Sequence, residues 1–165
     1  MSIERPDYRR AEKAALDILK DYGAKAPPVD PIKIAKLLEV NVAFVKFSDE
    51  AERISGFYDF EENKICVNID EFPLRQTFTI AHELGHTVLH KEWAKSSEYK
   101  VLLRDPDLQV TDAKEQEANA FAANLLMPRF MMDNYYSLPA SDLSQLFAVS
   151  LPAVKARLSF LYGIS

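Results

Sequence analysis

Cysteine occurs once in these 165 residues, tryptophan once and histidine only three times. The lone Cys66 excludes an internal disulfide and suits a reducing compartment. No apolar run approaches the roughly 18 residues of a membrane-spanning helix. The charged stretch from Met1 to Arg10 has no apolar signal core behind it, so a cytoplasmic protein is expected. An excess of basic charge is also missing: Lys plus Arg number 20 against 25 Asp plus Glu, a net charge of −5. A mildly acidic chain lacks the positive field on which a dedicated nucleic-acid binder leans. What is present is an ordinary apolar fraction, 48% hydrophobic against 27% charged, which excludes a disordered chain. The length fits one domain with at most a small appendage.

Between Pro6 and Tyr22, Ala11, Ala14, Ala15, Ile18 and Leu19 recur at helical spacing, and Gly23 is placed to end that helix. Asp30 and Pro31 form an N-cap and first-position pair for a second helix to Leu38, with Ile32, Ile34, Ala35, Leu37 and Leu38 as its buried side. Val40 to Phe47, Ile54 to Phe60 and Lys64 to Ile69 carry strand chemistry. Glu61-Glu62-Asn63 reads as a hairpin turn, and Gly56 as a bulge or a close backbone approach. Three antiparallel strands with one face covered by helices are the simplest arrangement. Longer helices are expected from Pro73 to Leu89, with Leu74, Phe78, Ala81, Leu84 and Val88 inward, and from Asp112 or Ala113 to Met127, stopped by Pro128. The polar connection from Lys91 to Thr111 carries Trp93 and is longer than structural filler usually is. The expected class is α+β, with a main domain over 1–128 and a helical tail over 129–165. In that tail Leu143, Leu146, Phe147, Val149, Val154, Leu158 and Leu161 have helix-turn-helix spacing.

All three histidines fall between positions 82 and 90. His82-Glu83-Leu84-Gly85-His86 lies within the first long helix, where residues four apart share a face with Cβ atoms about 5–6 Å apart. Two imidazoles so placed can converge on one Zn²⁺. Glu83 projects about 100° away round the helix, out of the ligand set but close to a water held by the cation. A cation lowers the pKa of such a water to roughly 7, and a carboxylate beside it can take the proton as the water attacks a carbonyl. A catalytic zinc keeps three protein ligands and one open position, so a third ligand is required. The second long helix opens on two acids: Glu117 shares a face with Ala120, Phe121 and Asn124, and Glu115 with Ala118, Asn119 and Ala122. Periodicity alone does not choose between them.

Phe78 through His86, followed by Leu89-His90, resembles the active-site helix of ImmA/IrrE-type metallo-endopeptidases. The run from Glu117 through Pro128 resembles that family's second signature. The likeness extends to Val29 through Leu38, to Ser55-Gly56-Phe57-Tyr58, to Val67-Asn68 and to the tail from Leu146 to Leu158. It implies zincin-like topology, His82, His86 and Glu117 as zinc ligands, and Glu83 as general base. It favours Glu117 over Glu115 because the family's acid directly precedes the Ala-Asn pair. It also implies a cytoplasmic endopeptidase that acts on helix-turn-helix repressors in stress responses and mobile elements. Manganese or another divalent ion would suit the same donors.

Several residues stay open at this level. His90 fits a helix-end cation or a partner of the site; Asn119 fits a hydrogen bond to a ligand or a brace between helices. Tyr58, Tyr99, Tyr135 and Tyr136 are unranked candidates for oxyanion stabilisation. Two rival functions remain: a zinc-stabilised protein that binds a repressor or toxin without cutting it, and a DNA-binding regulator. The second is hampered because the last helix offers only Lys155 and Arg157 as cations.

Overall fold

In the computed structural model, which describes residues 4–48, 54–96, 99 and 112–165, helix α1 (Tyr8–Tyr22) starts where the Asp7 carboxylate accepts the Arg10 N–H. It ends at Gly23, whose φ of 78° is the left-handed conformation that a helix C-terminus commonly requires. Helix α2 (Pro31–Leu37) is capped by Asp30 and opened by Pro31, as the dipeptide predicts. Its inner face is narrower than expected: Ile34 and Ala35 are buried, while Ile32 and Leu37 are exposed.

Strands β1 (Asn41–Val45), β2 (Gly56–Asp59) and β3 (Lys64–Asn68) form one sheet in the order β1-β3-β2. The β2–β3 pair is the expected hairpin, antiparallel with Gly56 opposite Val67 and Asp59 opposite Lys64. The all-antiparallel arrangement is corrected, however. β1 runs parallel to β3, Asn41 opposite Lys64 and Val45 opposite Asn68. The strand next in sequence, β2, takes the far edge, and β3 lies between β1 and β2. Each strand has the same composition whichever edge it takes, so residue type did not signal this order. Being central, β3 buries Ile65, Cys66 and Val67.

Gly56 marks a close approach. A Cβ there would lie 2.6 Å from Thr79 Cγ2 and 2.7 Å from the Cys66 carbonyl oxygen, which is fixed in the sheet. Gly56→Ala is therefore expected to destabilise the fold by about 1–3 kcal/mol, the usual cost of overpacking. A lowered midpoint in urea unfolding at unchanged slope checks it.

Helix α3 (Pro73–Leu89) packs on the sheet; it carries the short α4 (Lys91–Ala94) and meets helix α5 (Ala113–Leu126), which packs on both α3 and α1. Phe78, Ala81 and Leu84 face inward as expected, but Leu74 and Val88 are exposed. Of the long polar connection, residues 97, 98 and 100–111 lie outside the described residues.

The tail forms α6 (Arg129–Met132), α7 (Ala140–Phe147) and α8 (Leu151–Tyr162). Leu143, Phe147, Val149, Val154 and Leu158 join the same apolar cluster as Ala11, Leu19, Ile65 and Leu125. The Arg157 guanidinium is turned inward, donating to the Met127 carbonyl (3.0 Å) and to Asn124 Oδ1 (2.9 Å). Burial pushes its pKa down to about 10. One of the two cations on the last helix thus anchors the tail to α5 rather than facing solvent.

Candidate metal centre

Gly85, in the C-terminal half of α3, decides how α5 is rolled against it. A Cβ at Gly85 would lie 3.1 Å from Ala118 Cα and 3.2 Å from Phe121 Cβ, so the glycine lets the two helices meet closely at this point. The face of α5 turned to the histidines is therefore the one carrying Glu115, Ala118 and Asn119.

His82 and His86 stand one turn apart with ring centroids 4.9 Å from each other. His82 Nε2 is 2.8 Å from Glu115 Oε2, and His86 Nε2 is 2.8 Å from Glu115 Oε1. The opposite nitrogen of His82, Nδ1, meets Asn119 Oδ1 at 2.7 Å. The Glu83 carboxylate sits beside the pair, and ligating atoms of His82, Glu83 and His86 all lie within 4.8 Å of one another.

The resemblance pointed to Glu117 as the third member of the set. In the structure it lies elsewhere: Glu117 Oε1 is 2.8 Å from His90 Nε2, and Oε2 accepts the Asp7 backbone N–H at 2.8 Å. Two positions apart on a helix means about 200° of rotation, so one acid of the pair faces the imidazoles and the other does not. Both faces of α5 are buried, one against α3 and one against α1. The apolar pattern therefore marks neither face as the site.

The cluster is electrostatically unfinished. Burial opposes charge on His82, but the Glu115 carboxylate overrides it and raises the imidazole to about 9. Burial lowers His86 to about 4. Glu115 is held far below the usual carboxylate range, because its contacts with the two imidazoles outweigh its own burial. One proton shared by His82 and Glu115 satisfies that pair. His86 Nε2 remains buried with no aligned hydrogen bond, although a carboxylate oxygen is 2.8 Å away. A bare lone pair facing an anion is unfavourable unless a cation stands between them. Two imidazoles and a carboxylate converging in this way suit a divalent ion.

Glu83 is 6% exposed, and burial pushes its pKa up to about 8 against the opposing pull of His82. Its Oε2 accepts the Tyr99 hydroxyl at 3.1 Å, and the same hydroxyl oxygen accepts the Tyr58 backbone N–H at 2.8 Å. Tyr99 and Trp93 also pack on His86, ring centroids 5.8 Å and 5.2 Å away. Of the four tyrosines weighed from the sequence, Tyr99 is thus the one at the site. Tyr58 instead donates to Asn63 in the hairpin turn, Tyr135 packs on Phe147, and Tyr136 stacks on Tyr162. Position within a polar connection carried no signal of this. Cys66 is buried in the sheet, which raises its thiol, as a small core residue.

Next to Asn119, a cleft of about 460 Å³ runs along α5. Ala120, Ala123 and Met127 line it together with Phe78 and Phe160.

An α+β domain whose histidine helix presents two imidazoles to a carboxylate from a second helix carries a donor set of the kind that suits a divalent metal. Residues 35–159 match the Peptidase_M78 family, described as the IrrE N-terminal-like domain. The chain belongs to this ImmA/IrrE family of metallopeptidases. It is 30% identical over 133 residues to the "Uncharacterized immunity region protein 2" of Bacillus phage phi105, covering 79% of this chain and 77% of that protein. It is 33% identical over 138 residues to the "Radiation response metalloprotease IrrE" of Deinococcus radiodurans, covering 76% of this chain and 37% of that protein. The IrrE of Deinococcus deserti is 29% identical over 131 residues, 78% of this chain and 44% of that protein. The chain thus spans less than half the length of either Deinococcus protein. In fold it is similar to a "Mycobacterium tuberculosis transcriptional regulator", with a TM-score of 0.66 at 21% identity, over 91% of this chain and 55% of that one. No helix among the described residues is long and apolar enough to cross a membrane.

Proposed function

We propose that this chain is a zinc-dependent endopeptidase of zincin type, with His82, His86 and Glu115 holding the metal and Glu83 as general base. The observation that carries it is the convergence of both Nε2 atoms on the Glu115 carboxylate, 2.8 Å each, with Glu83 alongside. Glu115 replaces Glu117 in this role because the roll of α5 on α3 turns Glu117 toward His90. When bound, the cation supplies an acidified water and polarises a carbonyl. Glu83 takes the proton from the attacking water and passes it to the leaving amine nitrogen. Tyr99 holds the Glu83 carboxylate in place through its hydroxyl, and burial keeps the proton affinity of Glu83 high enough for that exchange. The apolar cleft beside Asn119 receives side chains of a protein substrate.

The substrate class proposed is a helix-turn-helix repressor, in the cytoplasm, in a stress response or mobile element. Support comes from the radiation-response and immunity-region names of the relatives. The test takes a repressor encoded beside this gene as substrate. Zinc-loaded protein is expected to cut it, cutting is expected to stop on EDTA treatment, and added zinc or manganese is expected to restore it. Purified protein that takes up no divalent metal would sink the reading.

A further inference from the structure

His90 and Glu117 take no part in the donor set proposed above, yet both are buried polar residues tied into a continuous chain of contacts that ends on His86. Glu117 Oε2 accepts the Asp7 backbone N–H at 2.8 Å. Glu117 Oε1 lies 2.8 Å from His90 Nε2, and His90 Nδ1 lies 2.9 Å from His86 Nδ1. A carboxylate accepts only, so the proton in the first ring contact sits on His90 Nε2. A neutral His90 then has its lone pair at Nδ1, and the proton between the two rings belongs to His86 Nδ1. That leaves the lone pair of His86 on Nε2, the nitrogen that faces Glu115.

We infer that Glu117 and His90 are positioning residues that set the tautomer and ring orientation of His86, so that its Nε2 is free to bind the metal. The inference rests on the metal-centre reading and deepens it. It also gives a role to the acid next to the Ala-Asn pair. The anchor at the far end is the N-cap residue of α1, and Arg10 of the same helix donates to the Leu89 carbonyl at 2.8 Å. The first turn of α1 thereby helps hold the end of the histidine helix.

Glu117→Gln tests this without changing shape. The Asp7 N–H claims the amide oxygen, so the amide NH₂ faces His90 Nε2, which must then accept. The His90 proton moves to Nδ1, His86 Nδ1 becomes the acceptor, and the His86 proton is driven to Nε2. Imidazole ¹⁵N shifts of the metal-free protein are expected to show His86 protonated at Nδ1 in the wild type and at Nε2 in Glu117→Gln. Competition between protein and a chromophoric chelator for zinc alone is expected to show affinity reduced by about 10–100-fold, the usual cost of losing such a partner. His90→Asn keeps a side-chain oxygen to accept from His86 Nδ1, and is expected to retain the wild-type tautomer and most of the affinity, whereas His90→Leu loses both. An unchanged tautomer or an unchanged affinity in Glu117→Gln overturns the inference. A wild-type protein that takes up no zinc would instead sink the metal-centre reading, while the tautomer of the metal-free protein would still decide this one.

Discussion

Glu83→Gln is expected to lower cleavage of a repressor substrate by about 100-fold or more, the scale of a lost general base, while zinc content stays at the wild-type level. The amide fills the same volume, and its oxygen can still accept the Tyr99 hydroxyl that now reaches Glu83 Oε2 at 3.1 Å. Folding and metal uptake therefore have little reason to change. What disappears is a group able to take and return a proton, and it disappears from a buried position where solvent substitutes poorly. Gel-resolved cleavage kinetics and metal analysis on the same preparation make the two readouts comparable. The experiment also separates the proposed enzyme from its non-cutting rival. A protein that only sequesters a repressor would relieve repression equally well with glutamine at this position. Cleavage at the wild-type rate would remove Glu83 from the mechanism.

Glu115→Gln should do the opposite, emptying the site and abolishing cleavage together. Its two carboxylate oxygens face the two Nε2 atoms, one each. A neutral amide there would present one oxygen and one NH₂, the latter facing a nitrogen lone pair. The loss of zinc affinity is expected to exceed the about 10–100-fold drop that accompanies loss of an outer partner. Glu115→Gln must therefore be more damaging than Glu117→Gln in the same chelator competition. If Glu117→Gln were the more severe variant, the third ligand would be Glu117, as the resemblance implies, and not Glu115.

Comparison of the two long helices shows what a sequence carries and what it does not. Helix α3 runs from Pro73 to Leu89, as its periodicity predicts, and the His82–His86 spacing specifies a shared face with no further information. Local rules also sufficed for the Asp30-Pro31 start of α2, the Gly23 end of α1 and the close approach at Gly56. Helix α5 was equally legible as a helix, Ala113 to Leu126, but not in its orientation. It is clamped between α1 and α3, so apolar residues cover most of its surface and mark no single inner face. The sheet failed for a related reason: a strand has two edges, and alternation along it says nothing about which neighbour takes which.

By itself the order of residues determined the long helices, the β2–β3 hairpin and the histidine pair, because each depends on interactions within a few positions of chain. Tertiary packing decided that β1 lies parallel to β3, that Tyr99 rather than three other tyrosines meets Glu83, and that Arg157 faces inward. It also decided that Glu115, not Glu117, completes the imidazole cluster. That choice depends on a contact between Gly85 and Ala118, 33 positions apart. No rule of helical periodicity reaches across such a distance; only the close fit of one helix on another sets the angle.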